Sequence, residues 1–345
     1  MFEKIWKKLA NIFKIRRFDL TFVCQRGRDY FAYPILAELE KQYKIHYVII
    51  RHSREYLYKR LKGRVVWIEW ALKPASVFSN RKLRGKKLFV RVLGSEVYTD
   101  WMEKINWSEI HRLIFVNRKR EKEFKGSITN EVNTITIHNA IQIDHYAAKA
   151  VKASAKKLCC FSIAFLPWKG YKELLIFFAK LLERKDCFRL NLMAREAKKE
   201  LEKKYFAELR KTIKMLDIEK KVTIKLRKNQ IYIKDDHLNV TKFLHGNDIF
   251  LSFSKRESFH YAFAEALLCG LQGFYNSWYD NSAQYFWENW CYSSEDKMLS
   301  GILKWDELPI SQKEKAIQQN RKYVVNHFNS SIVSQRFGRL LFKDE

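Results

Sequence analysis

DIFLSFS (248–254) runs straight into KRESFHYAFAEALLCGLQGFYNSW (255–278), and the apolar period changes twice along the way. The first segment is an almost unbroken apolar run of strand length, as expected of a strand buried on both faces. KRES is a polar loop. FHYAFAEALLC (259–269) places its apolar residues at helical spacing, and LQGFYNSW (271–278) returns to a strand pattern. Strand, loop, helix and strand make one unit of a parallel sheet. Ligands of open parallel sheets bind at the carboxyl ends of strands, and Glu257 falls there, with Arg256 just before it. The helix opens directly behind, so the amides of Ser258, Phe259 and His260 are expected to point outward and offer a phosphate site. Glu265 follows about one turn into the helix. One carboxylate on the loop and one along the helix can reach a single ligand.

The same alternation continues on both sides. Upstream candidate strands are DLTFVCQ (19–25), KIHYVII (44–50), VVWIEWA (65–71), KLFVRVLG (87–94), RLIFVN (112–117) and TITIHN (134–139). The pattern restarts at LCCFSIAF (158–165), with the helix YKELLIFFAKLLE (171–183), then FRLNLMA (188–194), a charged helix over 196–217, VTIKL (222–226) and a short helix near 240–246. Two α/β halves follow, each a parallel sheet covered on both faces. We divide the chain into an arm (1–17), a first lobe (18–150), a second lobe (151–310) and a helical tail (311–345) expected to return to the first lobe.

At 345 residues the chain suits two domains. A hydrophobic fraction of 47% supports large cores, and 11 glycines with 4 prolines argue against a linker-rich architecture. The 66 basic and 38 acidic side chains leave +28, which fits nucleic acid, an anionic membrane or phosphorylated substrates. RKREKEFK (118–125) and KKELEKKYFAELRK (198–211) mix signs and read as solvated helix faces. There is no zinc-finger spacing and no RNA-recognition aromatic motif, so no specific nucleic acid is expected. The six cysteines form no CxxC pair and sit mostly in apolar runs, as reduced buried thiols do. Asp235-Asp236 lies in a polar loop, and Asp280 and Asn281 have no distinguishing context. No apolar run is long enough to cross a membrane, and charges interrupt the N-terminal apolar residues, so no secretory signal is expected.

Those N-terminal residues, MFEKIWKKLANIFKIRR (1–17), have their own pattern. Phe2, Ile5, Trp6, Leu9, Ile12 and Phe13 fall within an arc of about 120° on a helix, with Lys4, Lys7, Lys8 and Lys14 on the other side. A basic amphipathic helix of this kind suits an anionic membrane surface; packing on its own domain is the other reading.

The segment opened by Glu257 resembles the E-x7-E signature of glycosyltransferase family 4, here Glu257 and Glu265, where ESF opens the motif and EALLCG closes it. FLPWKGYKELLIFFAKLL resembles the family's L-x-P-x-K-G loop, RVLGSEVY (91–98) its first-lobe H-G-S-D/E loop, and IHNAIQIDHY (137–146) its PNGID segment. The resemblance implies a GT-B fold, two doubly wound Rossmann-like lobes with an interlobe cleft. It implies that Glu257 approaches the donor sugar, Glu265 holds the nucleotide ribose, and Lys169 binds the diphosphate. Arg256, Ser258, Phe259, His260 and Arg195 are expected on the donor side, and Gly27, Gly94, Ser95 and Glu96 on the acceptor side. His260 equally suits a helix cap, Lys169 a solvated helix start, and Glu96 a surface position. Three departures stand out. Ala164 replaces an Arg, Leu93 replaces the first-lobe His, and Ala140 replaces a Gly; Lys172, Arg195, Arg227 or Lys228 are candidates to supply the missing charge.

The implied activity is retaining transfer from a nucleoside diphosphate sugar to a glycan or lipid-linked acceptor in cell-surface polysaccharide or lipopolysaccharide synthesis. No metal is expected. The implied location is cytoplasmic, peripheral at the inner face of the membrane. The rivals are a catalytically degenerate sugar-nucleotide or glycan-binding scaffold, suggested by Leu93 and Ala164, and a nucleic-acid-binding protein, suggested by the charge alone.

Overall fold

The computed structural model describes residues 18–127, 132–227, 236–279 and 287–343; the amphipathic arm, Lys228, Asp235, Asp280 and Asn281 lie outside them. The chain divides into two compact units, Met1–Ala140 with Ser330–Glu345, and Ile141–Asn329. The division falls at Ala140/Ile141 rather than at 150/151, and the tail is shared between the units.

The first unit runs β1 (Leu20–Gln25), α1 (Tyr33–Leu39), β2 (Ile45–Ile50), α2 (Glu55–Tyr58), β3 (Val65–Glu69), α3 (Lys73–Ser79), β4 (Lys87–Val92), β5 (Ile110–Phe115), α4 (Arg118–Ser127) and β6 (Thr134–Thr136). The six strands are parallel in the order β2-β1-β3-β4-β5-β6. Neighbouring residues on a strand face opposite sides. Phe22, Trp67 and Phe89 therefore join one buried layer, and Val23, Ile68 and Val90 join the other. Apolar side chains on both faces are why these strands read as largely apolar runs.

The second unit runs β7 (Lys157–Phe161), α5 (Tyr171–Arg184), β8 (Arg189–Arg195), α6 (Glu200–Met215), β9 (Val222–Arg227), α7 (Asp236–His245), β10 (Ile249–Ser252), α8 (Tyr261–Leu268), β11 (Gln272–Asn276), β12 (Cys291–Tyr292), α9 (Glu295–Glu307) and α10 (Ile310–Phe328). Its sheet is also parallel, ordered β12-β11-β10-β7-β8-β9. Chain order reverses between β7 and β10, where the segments leaving the two strands start side by side at one edge. Two-residue β12 is too short to leave a period in the sequence.

Helix α11 (Ser330–Phe342) belongs to the first unit, whereas α10 stays in the second. Val333, Phe337, Leu340 and Leu341 fill the layer that holds Phe22 and Trp67. The Phe337 ring stacks on Trp67 at 4.7 Å between centroids, and the Arg91 guanidinium lies 5.4 Å from the Phe337 ring centre. Arg91 is fully buried, pairs with Glu69 at 3.0 Å and also donates to Asn139. Losing Phe337 therefore opens a cavity beside a buried charge. We expect Phe337→Ala to destabilise the protein by about 3–5 kcal/mol, measured as an earlier loss of helical signal in urea. An unchanged midpoint would mean that this helix is not part of the core.

Candidate functional site

The second unit's site is built where β7 and β10 lie side by side. Open parallel sheets bind ligands where the strand order reverses. The segment after β7 carries Trp168, Lys169 and Gly170, and the segment after β10 carries Glu257. Two backbone facts hold them together. The Lys255 amide donates to the Trp168 carbonyl at 2.8 Å. Gly170 adopts φ +68°, and a Cβ there would stand 1.9 Å from the Phe253 carbonyl oxygen. Only glycine allows both the left-handed backbone and the close approach.

On this frame Lys169 Nζ lies 2.6 Å from Glu257 Oε1, with the side chains 21% and 10% exposed. Burial pushes the Glu257 carboxyl up, but the Lys169 ammonium pulls it down, and it settles below its ordinary value. An ammonium has three N–H donors, so Lys169 can hold Glu257 and still donate to an anion.

His260 completes the cluster. Its Nε2 is 2.7 Å from Ser252 Oγ and 3.9 Å from Glu257 Oε1. Burial lowers the imidazole to about 4, so it is neutral at pH 7. Its backbone is left-handed, φ +66°, which costs a non-glycine residue about 1 kcal/mol. The turn is fixed from both sides, because the His260 carbonyl accepts from the Phe263 and Ala264 amides and caps α8. His260 therefore caps α8 through its carbonyl while its ring lies against Ser252 and Glu257.

Helix α8 opens at Tyr261, not at Ser258. The amides at its start are those of Tyr261 and Ala262, and the expected set of Ser258, Phe259 and His260 belongs to the turn before it. Phe259 is buried against Trp287 and Phe328, and its carbonyl accepts from the Trp287 indole. Ser258 is half-buried and Arg256 exposed on the same turn. Glu265, on α8, accepts a 2.7 Å hydrogen bond from the Tyr146 hydroxyl. Neither Tyr146 nor Ser252 stood out in the sequence: Tyr146 is remote in the chain, and Ser252 is one small residue in an apolar strand.

Other expected residues have structural partners. Arg195 ends β8, but its guanidinium binds Glu202 at 2.6 Å, and Glu202 also accepts from the Lys198 and Lys199 amides at the start of α6. Lys172 pairs with Glu208 at 2.5 Å. Arg227 is buried at the end of β9, and Ala164 is buried too. In the first unit, Gly27 lies on the loop after β1 with an open left-handed backbone. Gly94 and Ser95 lead into the turn Ser95–Tyr98 after β4. Glu96 is not a surface residue: it is 1% exposed, and its carboxylate accepts from the Leu93 and Gly94 amides at 2.9 and 2.8 Å. It closes its own loop. Leu93 is buried as well.

Two outcomes follow from this geometry. Gly170→Ala drives a methyl group into the Phe253 carbonyl and is expected to lower Tm and weaken ligand binding at Lys169 together; an unaltered Tm would contradict the contact. The second concerns pH. The unfolded imidazole of residue 260 takes a proton near 6.5 and the folded one only near 4. Between those values the unfolded state binds more protons, so stability falls as pH falls through the window. The depressed Glu257 carboxyl acts in the same direction, since its contribution is lost at low pH. His260→Gln should lose less stability than the wild type between about pH 7 and about pH 4.5 in urea titrations. Equal losses would place the imidazole in water.

No protein-family model and no curated protein matches the sequence. Solved structures do share the fold. TarM is 15% identical with a TM-score of 0.64, over 81% of this chain and 55% of that one, so the chain spans little more than half of TarM. HepE of Anabaena, solved with UDP and glucose, is 15% identical with a TM-score of 0.71, over 94% and 99% of the two chains. Sucrose-phosphate synthase of Thermosynechococcus elongatus is 10% identical with a TM-score of 0.71, over 94% and 98%. At these identities the likeness establishes the fold: two Rossmann-like α/β units of the GT-B type.

Proposed function

We propose that this chain is a retaining glycosyltransferase that moves a sugar from a nucleoside diphosphate sugar to a glycan or lipid-linked acceptor in cell-surface polysaccharide or lipopolysaccharide synthesis. The observation that carries the reading is the Lys169–Glu257 pair at the point where the strand order reverses. A diphosphate needs cationic and N–H donors as it departs, and preorganised donors lower that barrier most where water is excluded. Lys169 and the opening amides of α8 are assigned to the diphosphate. Glu257 is assigned to the donor sugar. Glu265, oriented by Tyr146, is assigned to the ribose, because a carboxylate accepts from two neighbouring hydroxyls. No metal ion has a part in the proposal.

Solved structures of this fold support the donor class. HepE has been crystallised with UDP-glucose, and a TarM mutant with UDP and alpha-GlcNAc-glycerol. An anionic membrane is the proposed partner of the basic arm at 1–17, which would make the protein peripheral at the cytoplasmic face. Among the described residues no helix is long and apolar enough to cross a membrane. The rival reading, a sugar-nucleotide-binding scaffold without turnover, is favoured by the engagement of Arg195 with Glu202 and by the burial of Leu93 and Ala164.

A thermal-shift series with UDP, GDP, CMP and their common sugars tests the donor site. One nucleotide is expected to raise Tm, and Glu265→Ala to abolish the shift. With the matching donor, Lys169→Ala and Glu257→Ala are each expected to lower turnover by about a hundredfold or more. Binding without hydrolysis or transfer would favour the scaffold, and no shift with any nucleotide would remove the donor site.

A further inference from the structure

Among the described tryptophans, Trp168 is the one left exposed, at 41%, and it directly precedes Lys169. Tyr279, three residues past the end of β11, is 46% exposed. Single exposed aromatics are ordinary on a protein surface; these two are linked through one residue, Lys255. The Lys255 amide holds the Trp168 carbonyl at 2.8 Å, and Ser254 Oγ donates to the same carbonyl at 3.3 Å. The Lys255 ammonium lies 5.7 Å from the Tyr279 ring centre and is anchored by Glu173 at 2.5 Å. Tyr279 also lies against Trp278 at 5.7 Å, and Trp278 packs edge-on against Phe253, the residue that meets Gly170. The backbone that fixes Lys169 and Glu257 thus carries Trp168, and Tyr279 reaches the same loop through the side chains of Lys255 and Trp278.

We propose that Trp168 and Tyr279 form a stacking platform for a pyranose ring of a saccharide chain, beside the Lys169–Glu257 pair. The proposal rests on the glycosyltransferase reading and deepens it, because it assigns sugar recognition to the edge that carries the donor residues. A pyranose has apolar C–H faces and a rim of hydroxyls. Its faces suit the electron-rich faces of indole and phenol rings, while the hydroxyls can bond to the Glu173 carboxylate and the Lys255 ammonium. Apolar surface with a few fixed polar groups is the usual composition of a small-molecule site. A ring left two-fifths in solvent does not enclose a single sugar; it leaves room for a chain that continues past the site.

The test uses the full chain and three probes: maltotetraose, chitotetraose and mannotetraose. Saturation-transfer NMR is expected to detect at least one of them on the wild type. Trp168→Ala and Tyr279→Ala should each weaken that probe by about fivefold to tenfold, and Trp168→Phe should restore most of the loss. The nucleotide-induced thermal shift should be unchanged in all three variants, because Trp168 holds the loop through its carbonyl. Absence of signal from every tetrasaccharide, or wild-type affinity in both alanine variants, would overturn the platform and leave the donor site standing. If both variants instead lose binding to phosphatidylglycerol vesicles and keep the saccharide, the pair is a membrane contact and the proposal fails. Loss of the nucleotide shift in the wild type would overturn the glycosyltransferase reading itself.

Discussion

The approach of Gly170 to Phe253 is the contact on which the second unit's site depends. β7 and β10 are neighbours only because the chain, after adding β8 and β9 on one side, returns to add β10 on the other. That return brings two loops remote in sequence to one edge, but adjacency alone does not join two side chains at 2.6 Å. The backbones must nearly touch, and a side chain at residue 170 would prevent it. Once they do, the Lys255 amide can reach the Trp168 carbonyl, and Lys169 and Glu257 have little freedom left to separate. The geometry is fixed by main chain and does not rely on long, flexible side chains finding one another.

Each unit contains an ion pair at the carboxyl end of its sheet, and the contrast between them separates structure from site. Glu69 and Arg91 are wholly buried, with Trp67 donating to Glu69 at 3.1 Å. Burial there outweighs Arg91 and pushes the Glu69 carboxyl up to about 7. Such a pair is costly to break, because either partner alone would be an uncompensated buried charge, and its inaccessibility denies it a ligand. Lys169 and Glu257 retain some exposure. The Lys169 ammonium wins over desolvation at Glu257, and the carboxyl stays below its ordinary value. A carboxylate–cation pair is sealed in one unit and partly open in the other.

The lobed α/β architecture was legible because both faces of each sheet are covered, so DLTFVCQ, KLFVRVLG and DIFLSFS are predominantly apolar, with single polar residues such as Thr21, Arg91 and Ser252 between. Helix ends were less so. FHYAFAEALLC has apolar residues from Phe259 onward, yet Phe259 is buried in the turn before the helix and His260 breaks the helical path with a left-handed backbone. Periodicity counts apolar residues and does not distinguish a buried turn from a first helical turn. The unit boundary was misplaced for a similar reason: nothing in IHNAIQIDHY marks where one core ends and the next begins, and Ile137 and Ile141 serve different cores. Glu96 was ambiguous because a carboxylate two residues after a glycine suits water equally well. Only the fold shows that the Gly94 and Leu93 amides turn inward to meet it.

The burial of Ala164 and Leu93 bears on how charge is distributed over the second unit's site. With no arginine at 164, the nearby cations are Lys169, Lys172 and Arg195, and each has an acidic partner: Lys169 has Glu257, Lys172 has Glu208, and Arg195 has Glu202 beneath the start of α6. Arg195 is only 11% exposed, so drawing it away would strand a buried carboxylate, a cost of several kcal/mol by the general behaviour of such pairs. Lys172 and Glu208 are both largely solvated, and exposed pairs of this kind separate easily. An incoming anion would therefore meet Lys169 first, recruit Lys172 at little cost and leave Arg195 in place. Charge that is fixed sits on Lys169, and charge that can be borrowed sits at the exposed start of α5.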